Sequence, residues 1–239
     1  MPWSFDQRIA RADELASSSE ILSFYQKLAG FQKEIHESLR AAAATGLAAL
    51  EPYFVPLREL IAHHGPPGLA DHVEGFSKEV LEAVWRGAAP DFHRRFLART
   101  LLQPYAEYLA SRADIPWKPD ARTCPFCSAW PVAGVLRGEG DGAKRWMLCS
   151  LCSTEWPFRR VLCWNCGEED KDKLPLYSAA EFPNVRIDAC DSCRVYIKSV
   201  DLTKDGRAVP VVDEMASVAL DIWADEHGYA KLQPNLLEF

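Results

Sequence analysis

Cys124-Pro125-Phe126-Cys127, Cys149-Ser150-Leu151-Cys152, Cys163-Trp164-Asn165-Cys166 and Cys190-Asp191-Ser192-Cys193 decide how the second half of this chain folds. These four CxxC pairs take in all eight cysteines of the 239-residue sequence, and they fall within 70 residues. Two residues between thiolates let the backbone turn tightly enough for both sulfurs to reach one ion about 2.3 Å away, while amide N–H groups point at the sulfurs. Each pair is therefore half of a tetrahedral site. Joined in chain order, 21 residues separate the first pair from the second and 23 the third from the fourth, each loop long enough for one hairpin. That is a zinc-ribbon or rubredoxin-like pattern, twice over. Crossed pairing of the first knuckle with the third stays open, because only ten residues lie between Cys152 and Cys163; sequential pairing ranks above it.

Disulfide bonding fits poorly with cysteines confined to CxxC pairs in a chain expected in the cytoplasm. A redox dithiol of the thioredoxin kind needs one CxxC at the start of a helix, not four on hairpins. Two closed four-thiolate sites leave no open position for water or substrate, so they do not suggest hydrolysis. Zinc and iron both accept tetrahedral sulfur, and spacing does not choose between them.

Around the knuckles lie short β-like runs, Pro131 to Arg137 and Lys144 to Leu148, separated by the turn-rich Gly138-Glu139-Gly140-Asp141-Gly142. A second pair is expected at Leu174 to Tyr177 and Val185 to Ala189. The end, Asp213 to His227, reads as a helix with Val218, Ile222 and Trp223 inward. Upstream, Asp114 to Asp120 carries two prolines around Trp117 and reads as a linker.

Before that linker the period is helical. Ile21, Leu22, Phe24, Tyr25, Leu28, Phe31, Ile35 and Leu39 form one apolar stripe, and Ser17-Ser18-Ser19 offers an N-cap. Breaks at Glu51-Pro52, Gly65-Pro66-Pro67-Gly68 and Ala89-Pro90-Asp91 predict further helices near 53–64, 69–87 and 91–113. The fold class expected is α+β: a helical bundle over 1–119, rubredoxin-like metal domains over 120–160 and 161–210, and a C-terminal helix and tail over 211–239.

Charge narrows the function classes. The net charge is -7, yet residues 121–210 carry thirteen bases against twelve acids, without the basic excess that phosphate binding requires. A nucleic-acid-binding zinc ribbon is thus a lesser alternative, beside a rubredoxin-like electron carrier. No run approaches the roughly 20 apolar residues of a membrane helix. The opening MPWSFDQRIARADEL has charges where an export signal needs an apolar core, so the cytoplasm is the expected compartment. His36, His63, His64, His72 and His93 lack a second ligand at i+4 and are assigned surface or capping roles. Glu168 to Lys173 reads as a solvated charge run. No phosphate loop, nucleophile elbow or HExxH is present, and no catalytic set is expected. Between the metal sites, Arg159 and Arg160 are candidates for contacting a partner by holding a carboxylate, with Trp164 joining them if exposed; Trp156 reads as core first and as a partner contact second.

The segments CPFCSAWPVAGVLR, RWMLCSLCSTEWPFRRVLCWNCG, IDACDSCRVYIKSVDL and VVDEMASVALDIWADEHGYAKLQPNLL, in that order and spacing, resemble the FdhE family of formate dehydrogenase accessory proteins; RIARADELA and FYQKLAGFQ agree more loosely. The N-terminus reads shorter than is usual for that family. The resemblance implies a non-enzymatic cytoplasmic maturation factor acting on the catalytic subunit of a molybdenum- or tungsten-dependent formate dehydrogenase. It also implies rubredoxin-type sites at the eight cysteines, with iron the first choice of metal and zinc the second.

Overall fold

Ser19 begins the longest helix, its hydroxyl accepting the N–H of Leu22 from an extended backbone, and the helix runs Glu20–Ala42 (α2) to a left-handed cap at Ala43. In the computed structural model, residues 3–16, 19–73, 75–116, 118–140 and 142–239 are described. Ser17 and Ser18 of the expected cap, Trp117 of the linker and Asp141 of the expected turn lie outside them. The chain divides into two compact units: a helical unit, Ser4–Ala113 with Leu236–Glu238, and a sheet unit, Asp114–Asn235 with Trp3 and Phe239.

The helical unit comprises α1 (Phe5–Leu15), α2, α3 (Phe54–His64), α4 (Lys78–Trp85) and α5 (Phe92–Ala110). The α2 stripe buries Leu22, Tyr25, Leu28, Phe31, Ile35 and Leu39. α5 is covered on nearly every face, and the buried Arg8 of α1 meets its buried Glu107 at 2.8 Å. The single helix expected over 69–87 is instead a short 3-10 turn, Ala70–His72, followed by α4; Ser77, extended at φ -140°, interrupts it. His36 is buried rather than at the surface, against the Phe5 ring, and that burial pulls its pKa down.

The sheet unit has strands β1 (Pro131–Glu139), β2 (Gly142–Cys149), β3 (Glu155–Phe158), β4 (Leu176–Ser178), β5 (Val185–Cys190), β6 (Val195–Asp201) and β7 (Ala230–Lys231). Their order is β3-β2-β1-β6-β5-β4, with β7 added alongside β6. The first hairpin is longer than the sequence suggests: β1 and β2 pair out to Glu139 and Gly142, through the Gly-rich stretch. Between the two ribbon halves, β1 and β6 run parallel, with Gly134 opposite Ser199. One sheet therefore carries both cysteine clusters.

The expected C-terminal helix is two, α6 (Pro210–Ala216) and α7 (Val218–Glu226), broken at Ser217. The break resets the helical phase, so Leu220 and Ala224 are buried while Ile222, expected inward, is 57% exposed. Val218 and Trp223 are half-buried. Leu220 and Ala224 pack with Val185, Ile187, Tyr196, Val200 and Tyr229 in a core on one sheet face.

Beneath α6 and α7 that core becomes ionic. Lys198 of β6 is fully buried, 2.6 Å from Asp221 and 3.1 Å from Glu214, with Ser217 as a further partner. Lys231, Asn235 and Tyr196 complete the bonding of the two carboxylates. Burial lowers the Lys198 pKa, and Glu214 and Asp221 oppose that shift.

Candidate metal centres

Each knuckle is built the same way. In all four, the residue after the second cysteine is left-handed: Ser128 (φ 63°), Ser153 (53°), Gly167 (83°) and Arg194 (58°). That turn lets a backbone N–H close onto the first cysteine's carbonyl, as in Ser128 to Cys124 (2.9 Å), Gly167 to Cys163 (3.0 Å) and Arg194 to Cys190 (2.8 Å). Amide groups also reach the sulfurs. Leu151 and Cys152 donate to Cys149 Sγ at 3.4 and 3.5 Å, and Asn165 and Cys166 to Cys163 Sγ at 3.4 and 3.5 Å. Such N–H···S contacts stabilise thiolate over thiol.

The structure brings together Cys124, Cys127, Cys149 and Cys152 in one cluster and Cys163, Cys166, Cys190 and Cys193 in another, the sulfurs of each within 4.8 Å of one another. This is the sequential grouping. In the first cluster Cys127 lies 3.3 Å from Cys149 and 3.5 Å from Cys152, and Cys124 lies 3.5 Å from Cys152. In the second, Cys163 to Cys193 and Cys166 to Cys190 are both 3.7 Å. Sulfurs about 2.3 Å from a central ion at tetrahedral angles stand about 3.8 Å apart. A disulfide would need about 2.05 Å, so these thiols are arranged for an ion and not for one another.

Electrostatics agree. Hydrogen bonds from Cys127, Cys149 and Cys152 hold the Cys124 thiol far below its ordinary pKa, whereas burial pushes Cys149 well above. Four crowded sulfurs cannot all be thiolate without a cation among them, and a soft divalent ion supplies that charge. The donor set fits zinc or iron: all four positions come from the chain, and the ion would hold the knuckles together.

Groups that the spacing did not single out support the second cluster. Glu168, placed in the solvated charge run, takes the Ser192 hydroxyl at 2.6 Å and the Asp170 N–H at 3.0 Å, and so ties the third knuckle to the fourth. The Ser192 bond, the Asp170 N–H and the nearby Lys173 hold its carboxyl down to about 2. Beyond the fourth knuckle the Arg194 guanidinium covers the Tyr229 ring at 3.8 Å, and Tyr229 bonds Asp191. A carboxylate two residues past a CxxC was the one available signal.

The candidate partner residues divide. Trp156 and Trp164 are buried, at 0% and 1% exposure, which agrees with the core reading of Trp156 and leaves the exposure that a contact role for Trp164 requires unmet. Trp156 donates to the Ala121 carbonyl at 2.7 Å; Trp164 lies 5.4 Å from the Arg145 guanidinium, which is itself paired with Asp188. Arg159 is exposed but clamped between Asp120 (2.8 Å) and Glu169 (3.1 Å). Arg160 is exposed and forms no ion pair among the described residues.

Fold and sites together define a protein with an N-terminal helical unit and two zinc-ribbon-like four-thiolate centres on a shared sheet. The family models for "FdhE, central domain" and "FdhE, C-terminal domain" match residues 123–160 and 161–237. The FdhE homologue of Aquifex aeolicus (strain VF5) is 34% identical over 197 residues, which is 78% of this chain and 69% of that protein. The homologue of Pseudomonas putida is 28% identical over 276 residues, 98% of this chain and 86% of the relative. The crystal structure of the FdhE protein from Pseudomonas aeruginosa superposes with a TM-score of 0.75 at 22% identity, over 98% of this chain and 95% of that one, and so shares the fold. The chain belongs to the FdhE family.

Proposed function

We propose that this protein is a cytoplasmic, non-catalytic accessory factor that binds the catalytic subunit of a formate dehydrogenase and is needed for that enzyme to become active. The observation that carries the reading is the pair of closed four-cysteine clusters within a chain of the FdhE family. A centre whose four positions are all protein sulfur keeps no open position for a substrate, which favours a role exercised toward another protein. Iron is the first choice for both centres and zinc the second. On the surface, the exposed Arg160, with Arg159 beside it, is the carboxylate-holding contact of this reading.

The test is formate dehydrogenase activity in cells lacking the protein, complemented by wild type or by Arg159→Ala/Arg160→Ala, with client protein followed in parallel. Wild type should restore activity at unchanged client level, and the variant should restore less and capture less of the catalytic subunit from an anaerobic extract. Full formate oxidation in the deletion strain would end the proposal. Full complementation by the variant would move the contact elsewhere on the chain.

A further inference from the structure

The two centres share a ligand set but not an environment. In the first, Cys124, Cys149 and Cys152 are 2%, 1% and 0% exposed, and Cys127 is half-buried. Both centres place two amides on one sulfur, Cys149 in the first and Cys163 in the second, and the first adds Thr154 Oγ1 3.2 Å from Cys152 Sγ. In the second, Cys166 is exposed and Cys193 is half-buried. No N–H among the described residues reaches Cys166 Sγ; its own N–H is spent on Cys163 Sγ. The hairpin that carries the fourth knuckle is held by its own apolar core, Val185, Ile187, Ala189, Tyr196 and Val200 against Leu220 and Ala224, none of which is a ligand.

We propose that the first centre retains its ion on the timescale at which the second exchanges, and that the second is an exchangeable site, opened through Cys166, which passes a soft divalent cation to and from thiol-bearing acceptors. Two features favour this. An incoming ligand needs a route to the ion, and Cys166 is the one exposed ligand residue of the two clusters, Cys127 and Cys193 being half-buried. The sheet beneath does not depend on the ion for its core, so release does not require unfolding. In the exchange acceptor thiols replace the four cysteine sulfurs one after another, Cys166 first and then Cys163, Cys190 and Cys193. Each new sulfur–metal bond forms as one from the site breaks, the proton of the incoming thiol passes to the released sulfur, and no oxidation state changes. This inference rests on the four-thiolate reading of both clusters and not on the identity of the client.

The experiment uses the full chain loaded with zinc as probe metal under reducing, oxygen-free conditions, challenged with excess 4-(2-pyridylazo)resorcinol, whose zinc complex is read in the visible. Two zinc ions per chain at the start establish the four-thiolate reading; fewer would overturn that reading and the inference with it. Release should be biphasic, one equivalent leaving roughly tenfold or more faster than the other, because access sets the rate. A brief pulse of N-ethylmaleimide followed by peptide mapping should label Cys166 first and spare Cys124, Cys149 and Cys152. Cys166→Ser should lose the fast equivalent and keep the slow one, which also reports that the first centre has folded. Equal release rates, first labelling in the Cys124 cluster, a fast phase that survives Cys166→Ser, or loss of both ions in that variant would each overturn the proposal.

Discussion

Three of the four left-handed knuckle positions are occupied by residues that carry a Cβ, and each bears a cost that glycine would not, on the order of 1–2 kcal/mol for an L-residue in that region. Ser128 is exposed, and its backbone N–H, not its side chain, closes the turn onto Cys124. Ser128→Gly should therefore raise stability by about 0.5–1 kcal/mol, the strain relief being partly offset by the greater freedom of glycine in the unfolded chain. Urea midpoints of the metal-loaded proteins test this, and a lower midpoint for the variant would refute it. Lys198 presents the opposite case. With no exposed surface, it is the shared cation of Glu214 and Asp221. Lys198→Met keeps most of the volume but leaves two buried carboxylates with Lys231 as their remaining ammonium partner, a loss of about 3–5 kcal/mol. Equilibrium unfolding at neutral pH should show it, whereas Lys204→Met, an exposed control, should change little.

At the scale of elements, what could be read in the sequence depended on whether partners were local. α2 is legible because its stripe and its cap lie within the helix itself. The first hairpin is legible from its flanking cysteines and glycines, and the four knuckles from spacing alone. β6 is not legible: Val195-Tyr196-Ile197-Lys198-Ser199-Val200-Asp201 places a lysine and a serine where a strand covered on both faces should be apolar. Those two residues are satisfied only by groups far along the chain, Glu214 and Asp221 for Lys198, and Asp188 for Ser199 at 2.8 Å. The same holds for Trp164, which lies against Arg145 of the first ribbon half, itself paired with Asp188 of the second. The seam of that sheet is sterically exact: a Cβ on Gly134 would stand 2.2 Å from Ser199 Oγ. Gly134→Ala must expel that hydroxyl from Asp188, and it should cost about 1–3 kcal/mol by overpacking alone. Adding Ser199→Ala should recover part of the loss, because the contact that remains, with Ser199 Cβ at 3.2 Å, is one a small shift can relieve. A double-mutant cycle in urea measures the coupling, and strict additivity would show that the seam tolerates the methyl.

For the whole molecule, all eight cysteines belong to the sheet unit, and the helical unit is organised by its own contacts, among them the Arg8–Glu107 pair and the α2 stripe. Removal of metal should therefore divide the chain's behaviour in two. Thiolate ligands bind an ion only when deprotonated, so metal affinity falls as pH falls and protons are released when metal binds. Acidification from neutral pH, or excess chelator at neutral pH, should withdraw ions from the clusters while the far-ultraviolet helical signal from α1, α2 and α5 persists. Hydrogen exchange followed by mass spectrometry resolves the two parts. Protection should fall first in 163–168 and 190–194, later in 124–127 and 149–153, where knuckle amides point at sulfurs, and should remain in 20–42 and 92–110. Loss of protection across both units in one step would show that the helical unit depends on the metal centres for its stability. Independent loss would mean that the centres can be emptied and refilled while the helices stay folded, the condition an exchangeable site requires.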